Sequence, residues 1–210
     1  YLGLQQVPDI LSYAVDQYGD LPAFSSLGHT ISFRELNILS DRFAAWLQAQ
    51  DDLQQGDRIA IQLPNLSQYA VVAYGVFKAG MIVVNVNPMY TQRELEYQLK
   101  HADVKLAVIF DQFLETLTLA QPQTPVSKVV VVSPFDLHPP CKRSLLNILL
   151  KFKGMRKPLR DNQTSLTEIL ARTDLPPASI SDTSPEALAV LQYTGGTTGV
   201  SKPAMLTHKN

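Results

Sequence analysis

Apolar residues recur along this chain in two alternating patterns. Phe33, Leu36, Leu39, Phe43, Trp46 and Leu47 share one stripe, at the three-to-four-residue spacing of an amphipathic helix ending near Gln50. Ser32 with Glu35 three residues on predicts a capping box at its start. Gly56-Asp57 reads as a turn, and Arg58 to Leu63 as a short strand stopped by Pro64. Asn65 to Lys78 is apolar around most of its circumference, which predicts a buried helix ended by Gly80. Met81 to Val86 is a continuous β-branched run, suited to a strand covered on both faces and broken by Asn87-Pro88. Thr91 and Glu94 form a second capping box, opening a helix to about His101. Lys105 to Phe110 and Val129 to Val132 read as strands.

Beyond them the pattern loosens. Pro134 to Gln163 reads as an insertion or loop carrying one short helix, Ser144 to Phe152. Ser165 and Glu168 supply a third capping box, and the Pro- and Ser/Thr-rich stretch Asp174 to Pro185 reads as a linker-like loop. Ala187 to Tyr193 is again a strand. Strands alternating with helices predict an α/β fold: a largely parallel sheet flanked by helices.

Composition narrows the function classes. The 210 residues are 45% hydrophobic and 18% charged, with a formal net charge of −1, which excludes a disordered chain and leaves no electrostatic footprint for nucleic acid. The densest basic stretch, Lys151 to Arg160, holds five cations in ten residues. It reads as a solvated loop, or as a contact with anionic lipid giving peripheral association with a membrane. The longest near-apolar run, Ala70 to Val86, is too short to span a bilayer and carries Lys78. Cys141 is the single cysteine; it reads as structural, rules out an internal disulfide and fits a reducing, cytoplasmic compartment. His29, His101 and His138 have no metal-ligand spacing. His208 reads as a polar residue opening a further helix, and Trp46 and Tyr90 as core residues. Asp9, Asp51 and Asp52 pair with no second acid in a helical register.

The segment that carries chemistry is Tyr193-Thr194-Gly195-Gly196-Thr197-Thr198-Gly199-Val200-Ser201-Lys202. Glycines let backbone N–H groups approach a ligand and form a concave nest for anionic oxygens. Hydroxyls donate to phosphate oxygens and can ligate Mg²⁺, and lysine supplies a point charge. That combination suits a triphosphate; its bland alternative is a surface turn. Spacing excludes two commoner phosphate motifs: five residues on from Gly195 and Gly196 stand Val200 and Ser201, where a P-loop needs glycine, and no G-x-G-x-x-G is present. Pro203 follows, and Ala204 to Leu206 reads as a strand, so the loop is expected to join two strands as a hairpin, with no helix dipole behind it.

The Tyr-Thr-Gly-Gly-Thr-Thr-Gly-x-x-Lys run resembles the signature phosphate loop of the adenylate-forming (AMP-binding) superfamily. Ile31 to Leu36, Phe77 to Gly80 and Val83 to Pro88 are similar to its earlier motifs, in the same order. Asn85 to Thr91 with Arg93-Glu94-Leu95, and Leu191 to Gly196 continuing to Met205 to Asn210, resemble the long-chain fatty-acid–CoA ligases in particular. The resemblance covers essentially the whole chain. It implies ATP-dependent activation of a fatty acid to an acyl-adenylate, then thioester formation with coenzyme A, at the inner membrane surface in many members. Thr194 would help place Mg²⁺; Thr197, Thr198 and Lys202 would contact phosphates; Gly195, Gly196 and Gly199 would line the nest.

Two departures shape the expectations. The family glycine after the loop lysine is Pro203 here, which predicts weakened nucleotide binding unless that position lies in ordinary strand conformation. The family's adenine pocket, acidic Mg²⁺ ligand, acyl tunnel and C-terminal domain match nothing in these 210 residues. The chain is therefore expected to be a partial N-terminal domain, 1–210, ending just after the phosphate loop. It would hold no catalytic residue, make no acyl-CoA alone, and expose apolar surface where the remainder packs. An adenylating ligase for another carboxylate and a non-catalytic remnant stay open as alternatives.

Overall fold

A computed structural model describes residues 3–152, 158–179, 183–194 and 201–210. Helix α1 (Val7–Tyr18) precedes a hairpin of β1 (Pro22–Ser26) and β2 (His29–Ser32), which leads into α2 (Phe33–Gln48). Then follow β3 (Arg58–Gln62), α3 (Ser67–Lys78), β4 (Ile82–Asn85), α4 (Gln92–His101), β5 (Val104–Phe110), α5 (Leu114–Ala120) and β6 (Lys128–Val132). The chain continues through α6 (Pro140–Phe152), β7 (Gln163–Ser165), α7 (Leu166–Ala171), β8 (Leu188–Thr194) and β9 (Lys202–Thr207). Seven strands form one sheet in the order β7-β6-β5-β3-β4-β8-β9, parallel except for the antiparallel β8–β9 pair.

The period-2 alternation of the strands divides the core between the two faces. Ile59, Ile61, Val83, Leu106, Val108, Val130 and Val132 point to the face covered by α1, α2, α3 and α7. Ala60, Val84, Ala107, Ile109, Val129 and Val131 point to the face covered by α4 and α5. Both faces are dry, which is why the strands read as unbroken apolar runs.

The expected capping boxes form at Ser32 and Thr91, whose hydroxyls accept from Glu35 N and Glu94 N at 3.1 and 3.4 Å while each glutamate accepts from its cap residue's amide at 2.8 Å. At Ser165 the amide reaches Glu168 at 3.5 Å. Helix α3 ends as expected at Gly80, whose φ of +73° lets its N–H and that of Met81 return to the carbonyls of Phe77 and Val76. Gly75 on α3 sits where α2 crosses: a Cβ there would lie 2.7 Å from Phe43 Cδ1 and 3.0 Å from the Ser40 carbonyl. Lys78 is fully buried in the same crossing, and its ammonium donates to Asp41 Oδ1 (2.6 Å), Asn37 Oδ1 (2.8 Å) and Ser40 Oγ (2.9 Å). Burial pushes its pKa down, and the Asp41 carboxylate opposes that shift.

Several expectations are corrected. Helix α3 begins at Ser67, because the chain first turns through Leu66 N to Pro64 O at 2.8 Å. Helix α6 begins at Pro140, well before Ser144, since proline in a first helical turn gives up only an amide that has no helical partner. The region 134–163 is thus a helix and a short strand, β7. Cys141 is exposed in the first turn of α6 and does not serve the core. His208 is buried in the turn after β9, where Nδ1 accepts from Val7 N at 3.3 Å and the ring meets Phe77 edge-on. His29 and His138, far apart in sequence, have ring centroids 5.1 Å apart. No group of three or more His, Cys, Asp or Glu among the described residues could hold a metal. Trp46 is in the core as expected; Tyr90 is half-buried against the second face and also lines a cavity. Most of the basic stretch Lys151 to Arg160 lies outside the described residues; Arg160 is exposed.

Candidate phosphate-binding site

Ligands of open α/β sheets bind where the carboxyl ends of parallel strands meet connections leaving to opposite faces. Here β3 leads to α3 on one face and its neighbour β4 leads to α4 on the other. A cavity of about 370 Å³ opens at this edge, lined by Asn85, Val86, Asn87, Tyr90, Gln192 and Tyr193. The end of the last strand pair, Thr194 opposite Lys202, reaches the same edge.

The expected strand–turn–strand arrangement is present at its base. Tyr193 pairs with Pro203 and Thr194 with Lys202 across the antiparallel ladder. Ser201 Oγ donates to the Thr194 carbonyl at 2.7 Å, tying the two strand ends together. Thr194 and Lys202 are exposed at the mouth of the turn. The remaining predicted site residues, Gly195, Gly196, Thr197, Thr198, Gly199 and Val200, lie outside the described residues. Pro203 stands in β9, an edge strand of the described sheet, where a missing amide is tolerated.

Tyr193 is not at the mouth. Its ring is buried, and its hydroxyl shares a 2.7 Å hydrogen bond with His101 Nδ1 at the end of α4. Burial, with the neighbouring Tyr97 and Tyr90 hydroxyls, pushes its pKa up to about 12, so the phenol stays neutral and anchors the root of the loop. A second anchor forms through contacts that were not visible in the sequence. Asn85 at the end of β4 accepts from Tyr69 OH at 2.6 Å and donates to Gln192 Oε1 at 2.7 Å, while its carbonyl accepts from Gln98 Nε2 at 2.7 Å. One asparagine thereby joins α3, β8 and α4. In the sequence Asn85 stood out as part of the Val83 to Pro88 motif and as a polar residue closing an otherwise apolar strand, but its partners did not; Gln62 likewise closes β3 and donates to the Asn87 carbonyl at 3.2 Å.

An exposed ammonium and hydroxyl at the mouth of a turn suit an anion. A lone threonine hydroxyl is a poor resident site for Mg²⁺, which prefers carboxylate, phosphate and water oxygens. It fits a cation that arrives on a polyphosphate.

Comparison with known proteins shows the family. The family model described as AMP-binding enzyme matches residues 11–210. A long-chain-fatty-acid–CoA ligase of Escherichia coli O157:H7 is 41% identical over 98% of this chain, and one of Bacillus subtilis strain 168 is 36% identical over 96%. The chain spans 37% and 36% of the lengths of those relatives. A solved long-chain-fatty-acid–CoA ligase from Archaeoglobus fulgidus, 22% identical, superposes with a TM-score of 0.73 over 97% of this chain and 37% of its own, which shows a shared fold. A family match running through nearly the whole chain leads to one conclusion: this chain belongs to the AMP-binding, adenylate-forming enzyme family.

Proposed function

We propose that this chain is the phosphate-gripping portion of a long-chain fatty-acid–CoA ligase. A fatty-acid carboxylate oxygen attacks the α-phosphorus of ATP, the bond to the bridging oxygen breaks, and pyrophosphate departs. The sulfur of coenzyme A then attacks the acyl carbon, losing its proton, and AMP leaves with the bonding pair. The first step activates a poor leaving group by exchanging carboxylate oxygen for AMP.

In this reading the turn from Thr194 to Lys202 holds the β- and γ-phosphates. The Lys202 ammonium and the hydroxyls of Thr197 and Thr198 offset charge that grows on the departing pyrophosphate. Thr194 would help hold the Mg²⁺ carried by the nucleotide, which would offset phosphate charge, and the amides of Gly195, Gly196 and Gly199 would line the nest. Tyr193, Val200 and Ser201 shape the turn. The observation that carries the proposal is the register that sets Thr194 opposite Lys202 at the carboxyl edge of the sheet.

In this reading the acyl pocket and the coenzyme A site belong to parts of the longer relatives that this chain does not match, and the 210-residue chain is expected to be inactive by itself. The reaction is placed in the cytoplasm, at the inner membrane surface where fatty acids partition. The test is a chimera in which this chain replaces the matching part of the Escherichia coli ligase, offered a panel of carboxylic acids with ATP and coenzyme A. Thioester formation favouring long-chain fatty acids supports the reading. Preference for a short or aromatic acid assigns a different carboxylate, and a folded chimera turning over no acid marks a non-catalytic remnant.

A further inference from the structure

The ladder between β4 and β8 joins Val83 to Val190, Val84 to Leu191 and Asn85 to Gln192, and stops there. From Tyr193 onward β8 pairs with β9, an edge strand of the described sheet. Backbone pairing to the body of the sheet therefore ends one residue before Tyr193 and two before Thr194. Past that point, side chains must set where the turn stands.

The Tyr193 ring is buried, and its hydroxyl meets His101 Nδ1 at 2.7 Å. The imidazole is itself held by two rings. It stacks on Tyr97 with centroids 5.5 Å apart and meets Tyr193 edge-on at 5.9 Å. The helix beneath it is fixed as well. Leu95 and Leu99 are buried, and Gln98 Nε2 donates to the Asn85 carbonyl at 2.7 Å. Arg58 donates to the carbonyls of Ala102 and Asp103, just past the helix end, at 3.1 and 3.0 Å. His101 thus presents its ring nitrogen from a rigid element. It lines no part of the cavity at the carboxyl edge, whereas Tyr193 does.

We propose that His101 is a positioning residue for the phosphate turn: its hydrogen bond to Tyr193 sets the root of the turn, and with it the reach of Thr194 and Lys202 toward a polyphosphate. The inference rests on reading this turn as the grip on ATP. His101 makes and breaks no bond in the reaction; it acts through Tyr193. Charge on the departing pyrophosphate grows in the transition state, so a displaced ammonium costs more there than in the bound substrate, and the loss falls on kcat.

Two measurements test this. His101 is exposed, so its variants should fold. His101→Leu keeps bulk but removes the bond, while His101→Asn keeps a polar atom on Cγ where Nδ1 stands. In the 210-residue chain, His101→Leu is expected to quicken hydrogen exchange in the β8 and β9 peptides and leave β3 and β5 unchanged, and His101→Asn to restore the wild-type pattern. In the chimera with the Escherichia coli ligase, fatty-acid-dependent pyrophosphate exchange is expected to lose about tenfold or more in kcat in His101→Leu, with the KM for fatty acid unchanged, and to recover in His101→Asn. Tyr193→Phe should show the same loss, and adding His101→Leu to it should cost nothing further. Wild-type hydrogen exchange in the β8 and β9 peptides of His101→Leu overturns the proposal, as does an unchanged kcat. So does a loss that asparagine fails to rescue, or one that adds in full to that of Tyr193→Phe; either makes His101 a packing residue. A parent chimera that exchanges no pyrophosphate overturns the ATP reading instead, and the hydrogen-exchange result still decides whether His101 holds the root of the turn.

Discussion

Asn85 and Gln192 are register partners on neighbouring parallel strands, and the amide of the first donates to the amide oxygen of the second at 2.7 Å. The contact locks β4 to β8 one residue before Tyr193 and two before the loop begins. A double-mutant cycle of Asn85→Ala and Gln192→Ala, measured by denaturant unfolding, is expected to give a coupling energy of about 0.5–1.5 kcal/mol. Strictly additive effects would show that the bond contributes nothing to strand alignment.

Gly75 sits where Phe43 and the Ser40 carbonyl leave no room for a methyl group. Alanine is the better helix former by about 1 kcal/mol, yet overpacking costs about 1–3 kcal/mol. Gly75→Ala is therefore expected to lower the melting temperature. A stabilised variant would mean that α2 and α3 can part without loss.

The elements with one dominant signal were legible in the sequence. Apolar runs marked β3 to β6, and the Ser32, Thr91 and Ser165 boxes marked three helix starts. The β1–β2 hairpin went unread because its turn places Leu27 at a φ of +50° before Gly28, where an Asn-Gly pair would have signalled it. Helices α1 and α5 and strand β7 were likewise unread: each is short or half-exposed, and its burial depends on partners distant in sequence. The candidate phosphate turn could be proposed from the sequence because its chemistry is contiguous. Its anchors could not be, because His101 and Tyr193 are 92 residues apart and Asn85 and Gln192 are 107 apart. They meet only through the order of strands in the sheet.

His208 and His138 both report on acid. Burial pushes each imidazole below its usual pKa, so the folded chain resists protons that the unfolded chain accepts. Their contribution is complete above about pH 6.5 and is lost as pH falls toward the lowered folded values. Stability is expected to drop between neutral pH and mildly acidic pH, and His208→Asn should flatten that slope while lowering stability at neutral pH. An identical slope in the variant would remove His208 from the acid response.

Pro203 occupies an edge-strand position opposite Tyr193. The strand-compatible branch of the sequence expectation therefore governs, and the departure from the family glycine should be mild. In the chimera with the Escherichia coli ligase, Pro203→Gly is expected to change the KM for ATP by less than about threefold, since an edge strand tolerates the missing amide. A larger gain in ATP affinity would show that the proline distorts the turn.

The central claim is that the turn from Thr194 to Lys202 grips the phosphates of ATP during carboxylate activation. It is tested most directly by fatty-acid-dependent exchange of labelled pyrophosphate into ATP in the same chimera, with and without Lys202→Ala. Removing one such charge-stabilising donor should slow exchange by about a hundredfold or more, with an unchanged melting temperature because Lys202 is exposed. Exchange at the wild-type rate in Lys202→Ala would contradict the account.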